Sequence, residues 1–594
     1  MKVASISTIF FTCLTIYCIG FIVINLYHNP TSESSSQKDK KEKSNQLEFP
    51  IVDMKNMPTT ILYKFIDPDL AYKVLSQLDT FKPVDESHFV TRAGGKSNYN
   101  SSYMGFKENQ NYCQEHRRYF VENPETLLRE IRVILEFARG TFLRSRVIPT
   151  IANDIQKEVG NPLPKDQKEL RPHTMDTSAN VFFTSNSMFV SRHVGRDFSC
   201  LTQESNHIPG NHLLNRKDLA AKSSMDYKKK FEGRPECLKE IKYFPNTWLL
   251  KDQEQCQDFF KALNSAEYKK MKEERHIVYI RKVGSGSHRG EGVQPVNDEE
   301  EAILKKTYEN GAKCGQVPDN RIVQDYIPNP LLLDGKKFDF RMYLLIASTN
   351  PLIAFYHDGF LRVSLAQYDV KSDEKKVLLT NLALNQQIYD KAKGGFLYEG
   401  MDEEDLKIAQ QWSFERLKDY LLEKKIISDP NWLDNYLRPE FKKAMTHFLR
   451  MAAEGFLRDS TLYELYGVDY MLDTDLNLWF IEANSGPAFD GYSKPMAKFI
   501  IKMLQDHFKV VHGLLKSRIS RIIGYVNGLT EAGLVGKEPN GDVKIDNLER
   551  RRKEFSILTR NYFEKDYEPE PDNGFSKFLD DNLPNSKTAY GACV

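Results

Sequence analysis

Apolar and polar positions divide this 594-residue chain into unequal stretches. From Val3 to Tyr27 no side chain is charged, and Ile6, Ile9, Phe10, Phe11, Leu14, Ile16, Ile19, Phe21, Ile22, Val23 and Ile24 crowd together. A helix of ~20 such residues crosses a bilayer. A cleavable leader has a shorter apolar core and ends at a small-residue cleavage site, and no such site stands around Asn25–Ser32. The pattern therefore predicts a single-pass transmembrane anchor over 1–28, in preference to a leader or a buried core helix. Thr31–Glu48 is rich in Ser, Lys and Glu and too poor in apolar residues to fold by itself, so 29–49 reads as a polar linker.

Past residue 50 the pattern is that of a folded protein. Residues 50–175 mix helical and loop signals and carry no recognisable chemistry, so they read as an N-terminal extension of unknown role. Short apolar runs at Asn180–Phe183, Ile277–Ile280, Arg321–Gln324 and Asp339–Ala347 predict strands. Phe441, Ala444, Met445, Phe448, Leu449 and Ala452 recur at helical spacing and predict a core-packed helix, and a second helical stretch is expected near Met496–Leu515. Residues 467–484 read as a hairpin, and beyond Lys537 the chain turns polar and peripheral. Strands mixed with helices predict an α/β or α+β protein of several lobes. The length agrees, since single cores stop growing at about 250–300 residues.

Charge narrows the function. Lys plus Arg number 83 and Asp plus Glu 82, a balance that excludes wholesale nucleic-acid binding, which needs a basic domain. Lys38, Lys40, Lys41 and Lys43 follow the apolar run while only Lys2 precedes it, and the positive-inside rule then places the large domain in the cytosol. The eight cysteines form no CxxC pair, which argues against a zinc ribbon or thioredoxin-type site. They are read mostly as free thiols, with Cys113 and Cys256 as a pair only if this part of the chain were luminal.

Three constellations carry candidate chemistry. The first is the hairpin Gly467-Val-Asp469-Tyr-Met-Leu-Asp473 followed by Leu478-Trp-Phe-Ile-Glu482-Ala-Asn484. Residues two apart share a strand face, so Glu482 and Asn484 point the same way. If 474–477 form the loop, Asp469 faces Glu482 from about 5 Å on the paired strand. Two carboxylates and an amide oxygen suit a hard cation such as magnesium. Glu482 also sits among Trp479, Phe480, Ile481 and Ala483, and a buried carboxylate needs a counter-charge or a metal. The alternative is an exposed hairpin with ordinary acidic residues. The second constellation is Lys337, Asp339 and Arg341 alternating with Phe338, Phe340 and Met342. A strand with one apolar face would there present a plus-minus-plus triad suited to phosphate or carboxylate, or simply a salt-bridged surface. The third is Ile277–Lys282 running into Gly284-Ser-Gly-Ser-His-Arg-Gly290-Glu-Gly-Val293. Its glycines would let amides approach phosphate, although neither a P-loop nor a dinucleotide fingerprint is present and a mobile surface loop would look the same.

Taken in order, these segments resemble the tubulin–tyrosine ligase-like family of ATP-grasp enzymes over roughly residues 180–515. The resemblance also runs through Asn206-His-Ile-Pro-Gly210, Arg216-Lys-Asp-Leu219, Tyr243-Phe-Pro-Asn-Thr247, Val323-Gln-Asp-Tyr-Ile327, Gly359-Phe-Leu-Arg362 and Leu379-Thr-Asn381. It implies an ATP-grasp fold with ATP between a central and a C-terminal lobe, a catalytic domain over 176–515 and a helical, polar tail over 516–594. It implies Lys217, Lys282, Arg289 with Gly290, and Lys337 as phosphate contacts. Gln324, Asp325, Tyr326 and Ile327 become the adenine hinge, and Asp339, Thr380 and Asn381 further nucleotide contacts. Asp469, Glu482 and Asn484 become magnesium ligands. Arg341 and Arg362 become carboxylate-binding residues that act, with Glu482, in catalysis. Where the family carries Lys-Pro before the glycine loop, this chain has Arg281-Lys282-Val283, so two bases compete for the phosphate.

The implied activity is ligation of a free amino acid, glutamate ahead of glycine or tyrosine, to a protein carboxylate through an acyl phosphate. Tubulin or microtubules would be the acceptor, with placement near microtubules or cilia. The alternatives are a ligase for a non-tubulin protein at a membrane, an ATP-grasp kinase for a small molecule, and a binding module without activity.

Overall fold

The computed structural model describes residues 204–284, 292–318, 320–327, 329–380, 402–458, 462–489, 491–532, 561–583 and Cys593, together with the backbone of five further strands. The expected anchor and linker lie outside the described residues, as do Arg289, Gly290 and Asn381. In chain order the strands are β1 (Thr59–Lys64), β2 (Phe81–Asp85), β3 (Val181–Thr184), β4 (Glu204–Asn206), β5 (Thr247–Leu249), β6 (Tyr279–Val283), β7 (Val293–Pro295), β8 (Arg321–Asp325) and β9 (Leu332–Leu333). They continue with β10 (Lys336–Thr349), β11 (Leu352–Gln367), β12 (Gln411–Trp412), β13 (Leu462–Leu472), β14 (Leu478–Asn484), β15 (Val535–Lys537), β16 (Val543–Ile545) and β17 (Ser576–Asp580). The helices used below are α1 (Lys217–Lys229), α2 (Pro235–Glu240), α3 (Gln253–Leu263), α4 (Ala266–Arg275), α5 (Asp298–Thr307), α6 (Phe414–Glu423), α7 (Arg438–Arg450) and α8 (Lys494–Glu531).

Strands and helices alternate as the sequence predicts, and the main sheet is mixed. Its centre is antiparallel, with β10 between β11 and β13 and β14 hydrogen-bonded to β13. Its far side is parallel, where β4, β3, β1 and β2 continue from β13. Two of these parallel strands belong to the 50–175 stretch. One face of β10 carries Phe338, Phe340, Met342, Leu344 and Ile346 into the large core. There α7 buries Phe441, Ala444, Met445, Phe448 and Leu449, the predicted stripe, and α6 buries Phe414, Leu417 and Leu421. Area removed from water on this scale is the main stabilising term of the fold.

A second, four-stranded sheet runs β5-β8-β6-β7. Its core is separate: Phe259, Phe260 and Leu263 of α3, Tyr268 of α4 and Leu304 of α5 close over Val278, Tyr279 and Val323. Each of these helices begins at a side-chain cap, since Asp252, Ser265 and Asn297 accept from the backbone N–H three residues on, satisfying donors that would otherwise be orphaned.

Three expectations are corrected. Against the expected placement as a single-pass membrane protein, no helix among the described residues is long and apolar enough to cross a membrane; even the 38-residue α8 carries Lys498, Lys502, Asp506 and Lys509 along its length. The tail is not wholly peripheral, because β17 pairs with β11 and adds an edge to the main sheet. The described cysteines are not free thiols. Cys237 is bonded to Cys593, and Cys256 to Cys314 rather than to Cys113.

Candidate active site

Between the two sheets lies a cavity of about 630 Å³. Every sequence-predicted site residue that is described lines it: Lys217, Lys282, Gln324, Asp325, Tyr326, Ile327, Lys337, Asp339, Arg341, Arg362, Thr380, Asp469, Glu482 and Asn484.

The main sheet supplies the acidic and guanidinium groups by register. Asp469 on β13 pairs across to Glu482 on β14, and Gly467 to Asn484. On its other edge Asp469 faces Arg341 of β10, and Asp339 of β10 faces Arg362 of β11. Four charges thus sit on three neighbouring strands. Arg341 donates from Nε to Asp469 Oδ1 at 2.5 Å and from a terminal nitrogen to Oδ2 at 3.1 Å. Arg362 grips Asp339 at 2.7 and 2.8 Å and reaches Asp469 Oδ2 at 2.7 Å. Thr380 donates its hydroxyl to Asp339. All four charged side chains are buried, and bidentate guanidinium–carboxylate pairing is the arrangement that makes this tolerable. Burial alone would lower the basicity of Arg341 and Arg362, but the aspartates reverse that and hold both guanidinium groups charged. Two glycines make the space. A Cβ on Gly359 would lie 1.6 Å from the Arg341 carbonyl oxygen, and one on Gly467 would lie 3.0 Å from the Arg341 side chain.

The smaller sheet and α1 supply Lys282 and Lys217, and β10 of the main sheet adds Lys337. Lys217, at the start of α1, places its Nζ 3.0 Å from Glu482 Oε2. Burial pushes the Glu482 carboxyl up, yet Lys217, aided by Lys282 and Arg362, overrides it and holds the group ionised at about 2. Lys282 donates to Gln324 Oε1 at 2.6 Å, and its neighbour Arg281 turns to Glu300 of α5 at 2.5 Å. Alternation along β6 separates the two bases: Lys282 lines the cavity and Arg281 does not. Lys337 donates to the Tyr326 hydroxyl and the Leu378 carbonyl, both at 2.9 Å, with its Nζ 4.4 Å from the Tyr326 ring centre. Burial lowers Lys282 to about 8 and Lys337 to about 7. Gln324–Ile327 form the end of β8 and the turn after it, where Tyr326 N donates to the Val278 carbonyl at 2.9 Å.

Glu464 is a functional residue the sequence reading missed. Buried on β13, it holds the Asn206–Gly210 motif: its oxygens lie 3.0 Å from His207 Nδ1, 2.8 Å from the Ile208 amide and 3.0 Å from the Asn211 side chain. Gly210 is required there, since its φ is +98° and a Cβ would meet the Gly455 carbonyl oxygen at 2.2 Å. This clamp fixes the segment that leads into α1 and Lys217. The signal was available, because Glu464 stands between Tyr463 and Leu465 just as Glu482 stands between apolar neighbours.

The donor set fits a divalent cation incompletely. Glu482 is ionised beside the Asn484 amide, which approaches its Oε1 at 3.4 Å. Asp469 already accepts three hydrogen bonds from two arginines, leaving about one of the four lone-pair positions of a carboxylate. Among the described residues no cluster of three or more His, Cys, Asp or Glu stands ready to hold a metal.

Residues 197–519, more than half of the chain, match the tubulin-tyrosine ligase family. The protein polyglycylase TTLL10 of Macaca fascicularis is 29% identical over 262 residues, which is 42% of this chain and 39% of that protein. A probable beta-tubulin polyglutamylase of Tetrahymena thermophila is 24% identical over 417 residues, 66% of this chain and 31% of that protein. A probable alpha-tubulin polyglutamylase of the same organism, Ttll1, is 27% identical over 329 residues, 52% and 71% of the two chains. The matched part of the chain thus spans about two fifths of the polyglycylase.

Proposed function

The chain belongs to the tubulin-tyrosine ligase family, and from that premise we propose that it is an ATP- and magnesium-dependent ligase joining a free amino acid to a carboxylate on an acidic protein tail. One observation carries the reading: the β11–β10–β13–β14 register gathers Arg341, Arg362, Asp469 and Glu482 into a cavity that also receives Lys217, Lys282 and Lys337. Three lysines and two arginines lining a cavity of about 630 Å³ suit a polyphosphate together with a carboxylate.

In this mechanism Lys282 and Lys337 take the phosphates of ATP, and Gln324–Ile327 take the adenine. Lys217 leaves Glu482 for phosphate when nucleotide enters, which frees the Glu482 carboxylate. Glu482 and Asn484, with the remaining position on Asp469, would hold magnesium, which supplies charge neutralisation to the phosphates when bound. An oxygen of the acceptor carboxylate attacks the γ-phosphorus and the bond to ADP breaks. The amino nitrogen then attacks the acyl carbon, and phosphate and a proton leave as the amide forms. Arg341 and Arg362, held rigid by Asp469 and Asp339, orient the carboxylates and stabilise the developing negative charge.

Glutamate is the amino acid proposed first. Glycine stands equal on similarity, because a polyglycylase and polyglutamylases are both among the relatives. Tubulin, named for two of these relatives, is the first acceptor to test, and a non-tubulin acceptor is favoured by the two disulfides. The full chain is incubated with ATP, magnesium, labelled glutamate, glycine or tyrosine, and either microtubules or acidic non-tubulin proteins as acceptor, with Glu482→Gln alongside. Incorporation of one label, reduced at least ~100-fold in the variant, is expected. Release of a phosphorylated small molecule with no amide formed would replace this reading with the kinase one.

A further inference from the structure

Outside the cleft, the unexplained chemistry is sulfur. Every described cysteine is paired: Cys256 with Cys314, at a Cα separation of 5.6 Å, and Cys237 with Cys593, at 5.2 Å. Both separations fall within the range a disulfide requires, and all four residues are buried.

The surroundings are built for these contacts. Cys256 lies on α3, and Cys314 lies in the turn after α5, which must come unusually close to α3. Gly311 and Gly315 allow it. Both have positive φ, and a Cβ would meet the Phe260 Cβ at 3.2 Å or the Gln253 Cβ at 2.9 Å. The close approach is therefore set by backbone and by glycine on either side of Cys314, within the core of the smaller sheet. The second pair joins α2 to a residue 356 positions away. Cys593 is seated there by Tyr227, whose hydroxyl donates to its carbonyl at 3.5 Å, with Arg234 reaching its sulfur at 3.9 Å.

Buried thiols are common in proteins of reducing compartments, where they stay unpaired as small apolar side chains. Pairing of all four, in two separate places, is the signature of an oxidising environment. We infer that this chain is a disulfide-stapled enzyme of an oxidising compartment, and that its acceptors are acidic proteins delivered to that compartment rather than the microtubule lattice. The acceptor clause rests on the ligase reading above; the compartment clause does not. Each bond forms by thiol–disulfide exchange. Two cysteine thiols give up two protons and two electrons to an oxidised dithiol carrier of the compartment, whose own disulfide is reduced to two thiols.

The test is a thiol map of the full chain from the cells that make it, quenched in acid. Free thiols are alkylated under denaturing conditions, the sample is reduced, and the newly exposed thiols are alkylated with a second, heavier reagent. The expected result is heavy label on Cys237, Cys256, Cys314 and Cys593, and unreduced digests that contain the Cys237–Cys593 and Cys256–Cys314 linked peptides. First-reagent label on these four residues, or linkage to other partners, overturns the inference. The oxidised chain is then given ATP, magnesium and labelled glutamate or glycine with either microtubules or the proteins secreted by the same cells. Label entering the secreted fraction is expected, and label entering microtubules alone overturns the acceptor clause. A paired map with no amide formed anywhere would sink the ligase reading and leave the compartment standing. Incorporation by a chain with four free thiols would do the reverse.

Discussion

Lys282 and Lys337 are two ammonium groups taken out of water with little direct compensation. Lys337 has the stronger claim to be neutral in the empty cavity, because burial outweighs the attraction of Asp339 and Lys282 repels it, which brings it to about 7. Lys282 is lowered by burial to about 8, against the pull of Glu482. For a base with a depressed folded pKa, the unfolded chain binds more protons between that value and the ordinary lysine value. These groups therefore make the fold more stable as pH rises from about 7 toward ~10. ATP works in the opposite direction. Its phosphates favour the charged lysines, so binding above pH 7.5 draws in protons and affinity falls as pH climbs to 9. Titration calorimetry in two buffers of different ionisation enthalpy reads this as net proton uptake of up to ~2 per ATP at pH 8.5 to 9, where most of both lysines is neutral in the empty cavity. Lys337→Met should remove most of that uptake at pH 7.5. Equal heats in the two buffers would mean that both lysines are already charged in the empty cavity.

At the scale of elements, the β10–β11–β13–β14 unit holds the charges in place and the Glu464 clamp holds the approach to α1. Glu464→Ala strips the acceptor from the Ile208 amide and the Asn211 side chain and removes the group facing His207 Nδ1. Leaving buried donors of this kind without an acceptor costs about 1–3 kcal/mol each, so the denaturation midpoint should drop sharply, while Glu464→Gln retains acceptor capacity and loses less. Equal losses in the two variants would show that volume rather than hydrogen bonding is at stake. The hairpin was legible from sequence because everything that defines it is local. A period of two puts Glu482 and Asn484 on one face, while the turn pairs Leu472 with Leu478 and a register shift between Asp469 and Tyr470, which the sequence did not show, brings Asp469 opposite Glu482. The alternation at 336–343 was legible for the same reason, but not its surroundings. Sequence left open whether Lys337, Asp339 and Arg341 faced solvent, and the structure buries all three. The rest could not be read because it is long-range. Glu464 and His207 are 257 positions apart, the Arg362–Asp469 contact spans 107, and the pairing of β17 with β11 joins distant parts of the chain. No periodicity within a window of a dozen residues encodes which strand a distant strand meets.

At the scale of the whole molecule, the two sheets have separate cores, and the cavity is where they meet. Stability therefore need not be uniform across the chain. The Cys256–Cys314 bond closes 58 residues entirely within the smaller sheet's region, and the loop-entropy account assigns such a closure about 4 kcal/mol. Replacing both cysteines by alanine should consequently loosen one lobe and spare the other. In hydrogen exchange, amides of α3, β6 and β8 should exchange faster by up to ~1,000-fold, the rate equivalent of that free energy if opening is local. Amides at the centre of β10 and β13 should keep their protection. ATP contacts both lobes in the proposed mode through Lys282 and Gln324 on one side and Lys337 and Glu482 on the other. At ~100 times its dissociation constant, a ligand contributes about 2.7 kcal/mol to whatever opening releases it, so nucleotide should restore part of the protection lost in the smaller lobe. Two results would be instructive. Uniform acceleration over both sheets would mean that they unfold as one unit despite their separate cores. Failure of ATP to slow exchange in β6 and β8, with binding still saturated, would mean that the nucleotide is held by the main sheet alone, and that Lys282 and the Gln324–Ile327 turn are not part of its site.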